Sequence, residues 1–185
     1  MEYKIRFINK HNPKNPIEDQ LLMKKFNLSQ FLNFMNTKPK IKNQLEMHIK
    51  DHLKHLNGVP PDSIMDLYKK DEGSEFIILI HKGNYVGSCR YFTRSFDKLG
   101  RIGKVYLPKK NYVKLNNLFV IPRYRRMGLG RKIMENIIND DTNYLLRVEK
   151  VNVGAIKLYE EVGFKKVNTD RSKYSTYVKH SKSEE

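Results

Sequence analysis

Residues 115–134 read LNNLFVIPRYRRMGLGRKIM, and the way this stretch divides decides the fold. Leu115, Leu118, Phe119, Val120 and Ile121 form a short apolar run of strand character that stops at Pro122. Helical spacing then begins with Leu129, Ile133, Ile137 and Ile138. Between the two lies Arg125-x-x-Gly128-x-Gly130. Glycine there lets the backbone turn tightly and removes side chains, so that successive N–H groups at a helix start can face an anion. A helix start carries about half a positive charge, and Arg125, Arg126, Arg131 and Lys132 add whole ones. The chemistry on offer is diphosphate binding.

A glycine pair before a helix is also an ordinary turn, so its neighbours decide its meaning. No Lys-Ser or Lys-Thr follows the glycines, which excludes a P-loop. Neither a third glycine nor an acidic residue stands where a Rossmann dinucleotide site requires one. Downstream comes Asn152-x-x-Ala155-x-x-Leu158-Tyr159-x-x-x-Gly163-Phe164, separated from the glycine turn by one helix and one strand. The two segments, within residues 115–167, strongly resemble the two central motifs of the GNAT superfamily of acetyl-CoA-dependent N-acetyltransferases.

The resemblance implies an α/β (α+β) fold with a mixed, mostly antiparallel central sheet flanked by helices. That sheet would be splayed at the cofactor site, between the strand ending at Pro122 and the strand ending at Val148. Acetyl-CoA would be the cosubstrate, lying in the splay, with no metal. The backbone of Leu118, Phe119 and Val120 would take the pantetheine arm, one of their N–H groups polarising the thioester carbonyl. The N–H groups of Arg125, Arg126, Met127, Gly128, Leu129, Gly130 and Arg131 would hold the diphosphate. Asn152 would bond the pantetheine arm, and Tyr159 would protonate the departing thiolate. A phenol of pKa about 10 remains a donor at neutral pH and suits a thiol of about 8.5. Without the surrounding motif, Tyr159 would read as a core aromatic on an amphipathic helix.

The sequence departs from the family pattern in two places. Met127 stands where a glycine is common, which matters little because its N–H is retained. Some relatives, notably the ribosomal-protein N-terminal acetylases, place a basic glutamate twelve residues before the tyrosine; here that position is Arg147. Asn116 and Asn117 cannot act as bases. Glu149 is the remaining candidate base, on the same strand face as Arg147, and its competing reading is an ion pair with Arg147 or Lys150. Positive neighbours would lower the acceptor's own pKa and reduce the need for a strong base.

A chain of 185 residues with 39% hydrophobic content suits a single domain over residues 1–179, with the cofactor core at 112–167 and a disordered tail at 180–185. No apolar N-terminal run or membrane-length span occurs, and the single Cys89 forms no internal disulfide, so a cytoplasmic, soluble protein is expected. The formal charge is +16, and residues 101–132 hold ten Lys or Arg with no Asp or Glu. Such a field suits an acidic partner, a nucleic acid or a phosphate-rich cofactor; a generally Lys-rich surface explains it equally well.

Along the chain, residues 3–9 make a strand and 12–16 a proline break. Residues 17–35 read as one or two helices, interrupted at 27–29, and a second helix carries Ile41, Leu45, Ile49, Leu53 and Leu56 up to Asn57-Gly58. His48, His52 and His55 share one side of it at metal-ligand spacing, but they alternate with Lys50, Asp51 and Lys54 on what reads as the wet face. The resemblance makes these helices the lip of the acceptor site. Asp62 caps a short helix to residue 70; residues 75–81 and 85–93 form a hairpin whose Gly87 marks a close strand neighbour; residues 94–110 are a basic insertion with a short strand at 105–107. A strand at 144–148, a helix at 153–162 and a hairpin of 165–169 with 174–179 complete the chain.

The expected function is acetyl transfer from acetyl-CoA to a primary amine of a protein, peptide or small molecule, by direct attack and without a relay through Cys89. The alternative from another class is a catalytically weak GNAT-fold protein that binds CoA or nucleic acid. A monomer or homodimer with no membrane association is expected.

Overall fold

The computed structural model describes residues 1–9, 17–55, 73–95, 100–102, 105–108, 110–168 and 173–184. The expected break at 12–16, the stop at Asn57-Gly58 and the helix from Asp62 lie outside them. The described chain forms two compact units, Met1–Arg90 with Leu118–Leu129, and Tyr91–Asn117 with Gly130–Glu185. An eight-stranded sheet runs through it in the order β1-β2-β3-β4-β7-β8-β10-β9, and β5 and β6 make a separate pair.

In the first unit β1 (Glu2–Asn9) and β2 (Ile17–Asn27) pair antiparallel, with Ile5 opposite Leu21. On its other edge β2 pairs antiparallel with β3 (Glu75–His81), with Leu22 opposite Ile80. The helix expected over residues 17–35 is therefore corrected: its first part is a strand. LLMKKF is too short an apolar run to fix a period by itself, and two ladders, one on each edge, satisfy its backbone as a strand. The expected interruption is the true helix start. Asn27 accepts from the Gln30 N–H at 2.9 Å while the Gln30 side chain accepts from the Asn27 N–H at 3.1 Å, a reciprocal cap opening α1 (Leu28–Thr37).

Phe31 of α1 stacks on Phe76 of β3 at 4.0 Å and 9°, both buried, and Phe26 meets Phe31 at 6.5 Å. Helix α2 (Pro39–His55) opens on proline, which lacks only an N–H that a first turn does not need, and buries Ile41, Leu45 and Ile49. β3 is apolar on both faces and buried after Glu75. Lys82 and Gly83 both take positive φ, 49° and 73°, turning β3 into β4 (Asn84–Ser95) as a tight hairpin.

In the second unit β5 (Gly100–Ile102) and β6 (Val105–Leu107) pair antiparallel inside the expected insertion. β7 (Asn111–Val120) runs parallel to β8 (Tyr144–Glu149), and α3 (Leu129–Glu135) occupies the connection. This pairing is short, from Val113↔Tyr144 to Leu115↔Leu146. Two residues on, Asn117 has φ 53°, a left-handed residue inside a strand, which asparagine tolerates better than most. Beyond α4 (Val153–Glu161), β9 (Lys165–Asn168) and β10 (Tyr174–Lys179) pair antiparallel, and β10 also pairs with β8. Leu107, Tyr112, Leu145 and Val178 form a buried cluster, and the Tyr144 hydroxyl donates to the Ile137 carbonyl at 2.9 Å.

The expected tail differs from what is found: Ser181 is buried with its N–H donating to Asn143 Oδ1 at 3.1 Å, and Lys182 pairs with Asp140 at 2.7 Å. Cys89 is a buried residue of β4. No helix of the described residues is long and apolar enough to cross a membrane.

β4 meets the end of β7 at Gly87, where a Cβ would lie 2.6 Å from the Phe119 carbonyl oxygen and 3.2 Å from Val120 Cα. Both obstacles are backbone, so a side chain requires the strands to part. Gly87→Ala should therefore cost about 1–3 kcal/mol of stability, read as a lower Tm; a Tm equal to the parent's would show that the strand end gives freely.

Candidate active site

Within the first unit, residues 118–120 end β7 half-buried, and the Ile121 N–H donates to the Val86 carbonyl at 2.9 Å, holding the strand end against β4. Proline starts the short 3-10 turn Pro122–Tyr124, whose Tyr124 is buried with its hydroxyl 2.7 Å from His81 Nδ1. This buried anchor sets the direction in which the glycine turn leaves. Arg126 has φ 61° and Gly128 φ 74°, flanking Met127. Left-handed residues placed alternately along a turn bring successive N–H groups to one side, an anion-binding concavity. A Cβ at Gly128 would meet nothing within 4 Å, so the turn is open where that side chain would point.

The side chains of the turn are partly committed. Arg125 Nε donates to the Val120 carbonyl at 2.9 Å, and its guanidinium lies 5.5 Å from the Phe119 ring centre. In the second unit Arg131 pairs with Glu161, and Lys132 lies 3.9 Å from Glu135. Two of the expected diphosphate cations thus have structural work: Arg125 braces the strand end, and Arg131 ties α3 to α4. Gly130 has a packing reason of its own, because a Cβ there would lie 3.1 Å from Leu158 Cδ2 of α4.

The second motif is local backbone chemistry. Asn152 caps α4, its Oδ1 accepting from the Ala155 N–H at 3.2 Å, which leaves its amide NH₂ as the group with which it could bond a ligand. At the other end the Phe164 N–H donates to the Tyr159 carbonyl at 2.9 Å and the Gly163 N–H to the Glu160 carbonyl at 3.0 Å. With Gly163 at φ 92° this is a Schellman cap, and its usual apolar clasp is the Tyr159–Phe164 pair, with ring centres 6.1 Å apart. The spacing Tyr159-x-x-x-Gly163-Phe164 is therefore the spacing of a helix terminator that grips Tyr159, which is buried.

Glu149 lies 3.4 Å from Lys173, so its ion pair is with that residue and not with Arg147, one of the two partners expected. Arg147 instead places its guanidinium 4.9 Å from the Tyr174 ring centre.

Sequence reasoning misplaced one residue of interest. His48 is half-buried, not on a wet face: its ring lies 5.9 Å from Tyr85 and 5.3 Å from Phe119. Burial lowers its pKa and Arg125 adds to the fall, against Asp51, which raises it. The signal was available in its position one residue before buried Ile49 and one turn after Gln44, whose Oε1 accepts from the Tyr85 N–H at 2.8 Å. Nothing is described of the side chains of His52 and His55, and no group of metal-ligating residues occurs among the described residues.

The sequence model of the acetyltransferase (GNAT) family matches residues 44–164. The chain is 37% identical over 67 residues to the [ribosomal protein bS18]-alanine N-acetyltransferase of Escherichia coli K12, covering 34% of this chain and 45% of that protein. It is 30% identical over 124 residues to the N-acetylaspartate synthetase of Xenopus tropicalis, covering 64% of this chain and 41% of that protein. The chain thus spans less than half the length of these curated relatives. Among solved structures, Arabidopsis thaliana NAA60 in complex with a bisubstrate analogue superposes with TM-score 0.56 at 15% identity, over 85% of this chain and 96% of that one. The GNAT domain of S. lividans PAT does so with TM-score 0.59 at 10% identity, over 96% and 95%. At such identities the likeness is one of fold.

The cap at Gly163 generates a prediction. A left-handed residue other than glycine costs about 1–2 kcal/mol, and Gly163→Ala should destabilise by that amount. Because the cap clasps Tyr159, the largest change in side-chain NMR shifts should fall on Tyr159 and Phe164. Unchanged shifts at Tyr159 would show that the cap does not hold it.

Proposed function

This chain belongs to the acetyltransferase (GNAT) family, and we propose that it transfers an acetyl group from acetyl-CoA to a primary amine by direct attack. The observation that carries the reading is the turn at Arg126 and Gly128, left-handed at both residues and open on the side where a Gly128 side chain would point. Its backbone N–H groups suit the diphosphate of acetyl-CoA better than its side chains do, since Arg125 and Arg131 are engaged elsewhere.

Residues 118–120 would take the pantetheine arm, with one N–H polarising the thioester carbonyl as charge develops on its oxygen. Asn152 would donate through its amide NH₂, and Tyr159 would give its phenolic proton to the departing thiolate. The amine nitrogen bonds to the thioester carbon as the carbon–sulfur bond breaks; the amine loses one proton and the thiolate gains one.

The two curated relatives act, by their names, at an alanine and at aspartate, and both supply an α-amine. An α-amine of pKa near 8 is partly neutral at pH 7, whereas a lysine side chain near 10.4 is almost wholly charged. With the acid-free basic run at residues 101–132, this favours an α-amine carried on a neutral or acidic molecule over a polyamine. The same run supports the second reading, a protein that binds CoA or nucleic acid without turnover. CoA release measured with an alanine-initiated peptide, aspartate, lysine and spermidine separates the two. Release with none of them would remove the transferase reading.

Two substitutions test the parts. Gly128→Glu adds bulk, charge and backbone strain at the turn and should abolish acetyl-CoA binding while the protein stays folded; retained micromolar affinity in calorimetry would remove the turn from the site. Tyr159→Phe should lower kcat by about ten- to a thousand-fold with cofactor affinity nearly unchanged. Equal kcat would take the hydroxyl out of the mechanism.

A further inference from the structure

We infer that His48 is the general base, taking the proton from the attacking amine. The inference rests on the acetyl-transfer reading, and it answers a question that reading leaves open, because Arg147 stands where some relatives carry a glutamate and Glu149 is ion-paired with Lys173.

The geometry lies wholly in the first unit. His48 sits on α2 at the edge of the stripe formed by buried Ile41, Leu45 and Ile49. One turn earlier, Gln44 on the same helix accepts from the Tyr85 N–H at 2.8 Å, fastening α2 to the start of β4. The His48 ring is thereby set beside Tyr85, at 5.9 Å, and Phe119, at 5.3 Å, with interplanar angles of 30° and 32°. Phe119 is the middle residue of the strand end whose backbone would hold the thioester, so the imidazole lies one side chain away from that backbone. Arg125 contacts the same Phe119 ring, at 5.5 Å, and is tied to the Val120 carbonyl. The His48 ring thus lies against side chains that are themselves held in place. Among the described residues, neither ring nitrogen of His48 is engaged in a hydrogen bond, and the residue is only half-buried.

The electrostatics suit an acceptor of protons. The charged groups acting on His48 are Asp51 on its own helix and Arg125 from the turn after β7; Tyr85, facing it from β4, has its hydroxyl 2.7 Å from Ser88 Oγ. Burial and Arg125 lower the imidazole pKa, and Asp51 only opposes them, so the ring is neutral at pH 7 and its lone pair is available. The proton balance is direct. A neutral amine attacks the thioester carbon and its nitrogen becomes positively charged and acidic; His48 takes that proton as the N–C bond forms, the C–S bond breaks, and the thiolate takes up one proton. The imidazolium then returns its proton to water. A base of low pKa can do this because the proton leaves the adduct and not the free ammonium ion.

The test compares His48→Phe, which keeps a flat ring against Tyr85 and Phe119, with His48→Ala, using the full chain and whichever amine of the panel releases CoA fastest. In His48→Phe, kcat/KM should fall about a hundredfold, with acetyl-CoA affinity and Tm close to those of the parent. Below about pH 6.5 the parent's kcat/KM should fall more steeply than protonation of the acceptor amine alone requires, this added fall should vanish in both variants, and added imidazole should restore part of the rate of His48→Ala. A His48→Phe enzyme within about threefold of the parent, with the added fall intact, would overturn the assignment. So would a loss confined to His48→Ala without imidazole rescue, which would make the ring a packing element. If the parent itself releases no CoA with any amine, it is the transferase reading that fails.

Discussion

L-amino acids avoid positive φ, and the segment carrying the two motifs depends on four places where the backbone nevertheless takes it: Asn117, Arg126, Gly128 and Gly163. Each lies within or at the end of a regular element or in the turn between two. Asn117 follows the last parallel pair, Leu115↔Leu146, and a strand that kept its register would go on giving its N–H and C=O groups to its neighbour. Arg126 and Gly128 bend the chain between β7 and α3, and left-handed residues alternating along a turn are the arrangement that brings N–H groups to one side. Gly163 ends α4 in a cap whose apolar clasp is Tyr159 itself. Of these four, Arg126 is neither glycine nor asparagine and carries strain of about 1–2 kcal/mol. The buried Tyr124–His81 anchor next to the turn and the Arg125 brace on Val120 are the kind of fixed surroundings that such strain requires.

Charge around the turn divides into two tasks. Arg125 and Arg131, counted from the sequence as cations for a ligand, are spent on a backbone carbonyl and on Glu161. Exposed ion pairs contribute little to stability, about 0–1 kcal/mol, so the Arg131–Glu161 pair does more to set the placement of α3 against α4 than to hold them together. The tight fit of Gly130 on Leu158 serves the same end.

The helical side of the first unit is built differently. Here aromatic rings set positions: Phe31 on Phe76 seats α1, and His48 between Tyr85 and Phe119 ties α2 to the strand end. Gln44, accepting from a β4 N–H, fastens the helix to the sheet.

The sequence by itself determined the parts whose physics is local. The strand, glycine turn and helix of residues 115–134, the α4 cap written as Tyr159-x-x-x-Gly163-Phe164, the β3–β4 hairpin and the tight approach at Gly87 all follow from spacing, turn chemistry and missing side chains. Tertiary structure decided whatever depends on a distant partner. LLMKKF in residues 21–26 is a strand because β1 and β3, from residues 2–9 and 75–81, ladder both its edges, and no local period could announce that. Glu149 went to Lys173 because β10 lies beside β8, not because of anything in its own neighbourhood. His48 looked wet among its charged neighbours on α2, and only the arrival of β4 and β7 beneath that helix gave its ring two aromatic walls. Burial is conferred by what packs against a residue, and that is a property of the assembled chain.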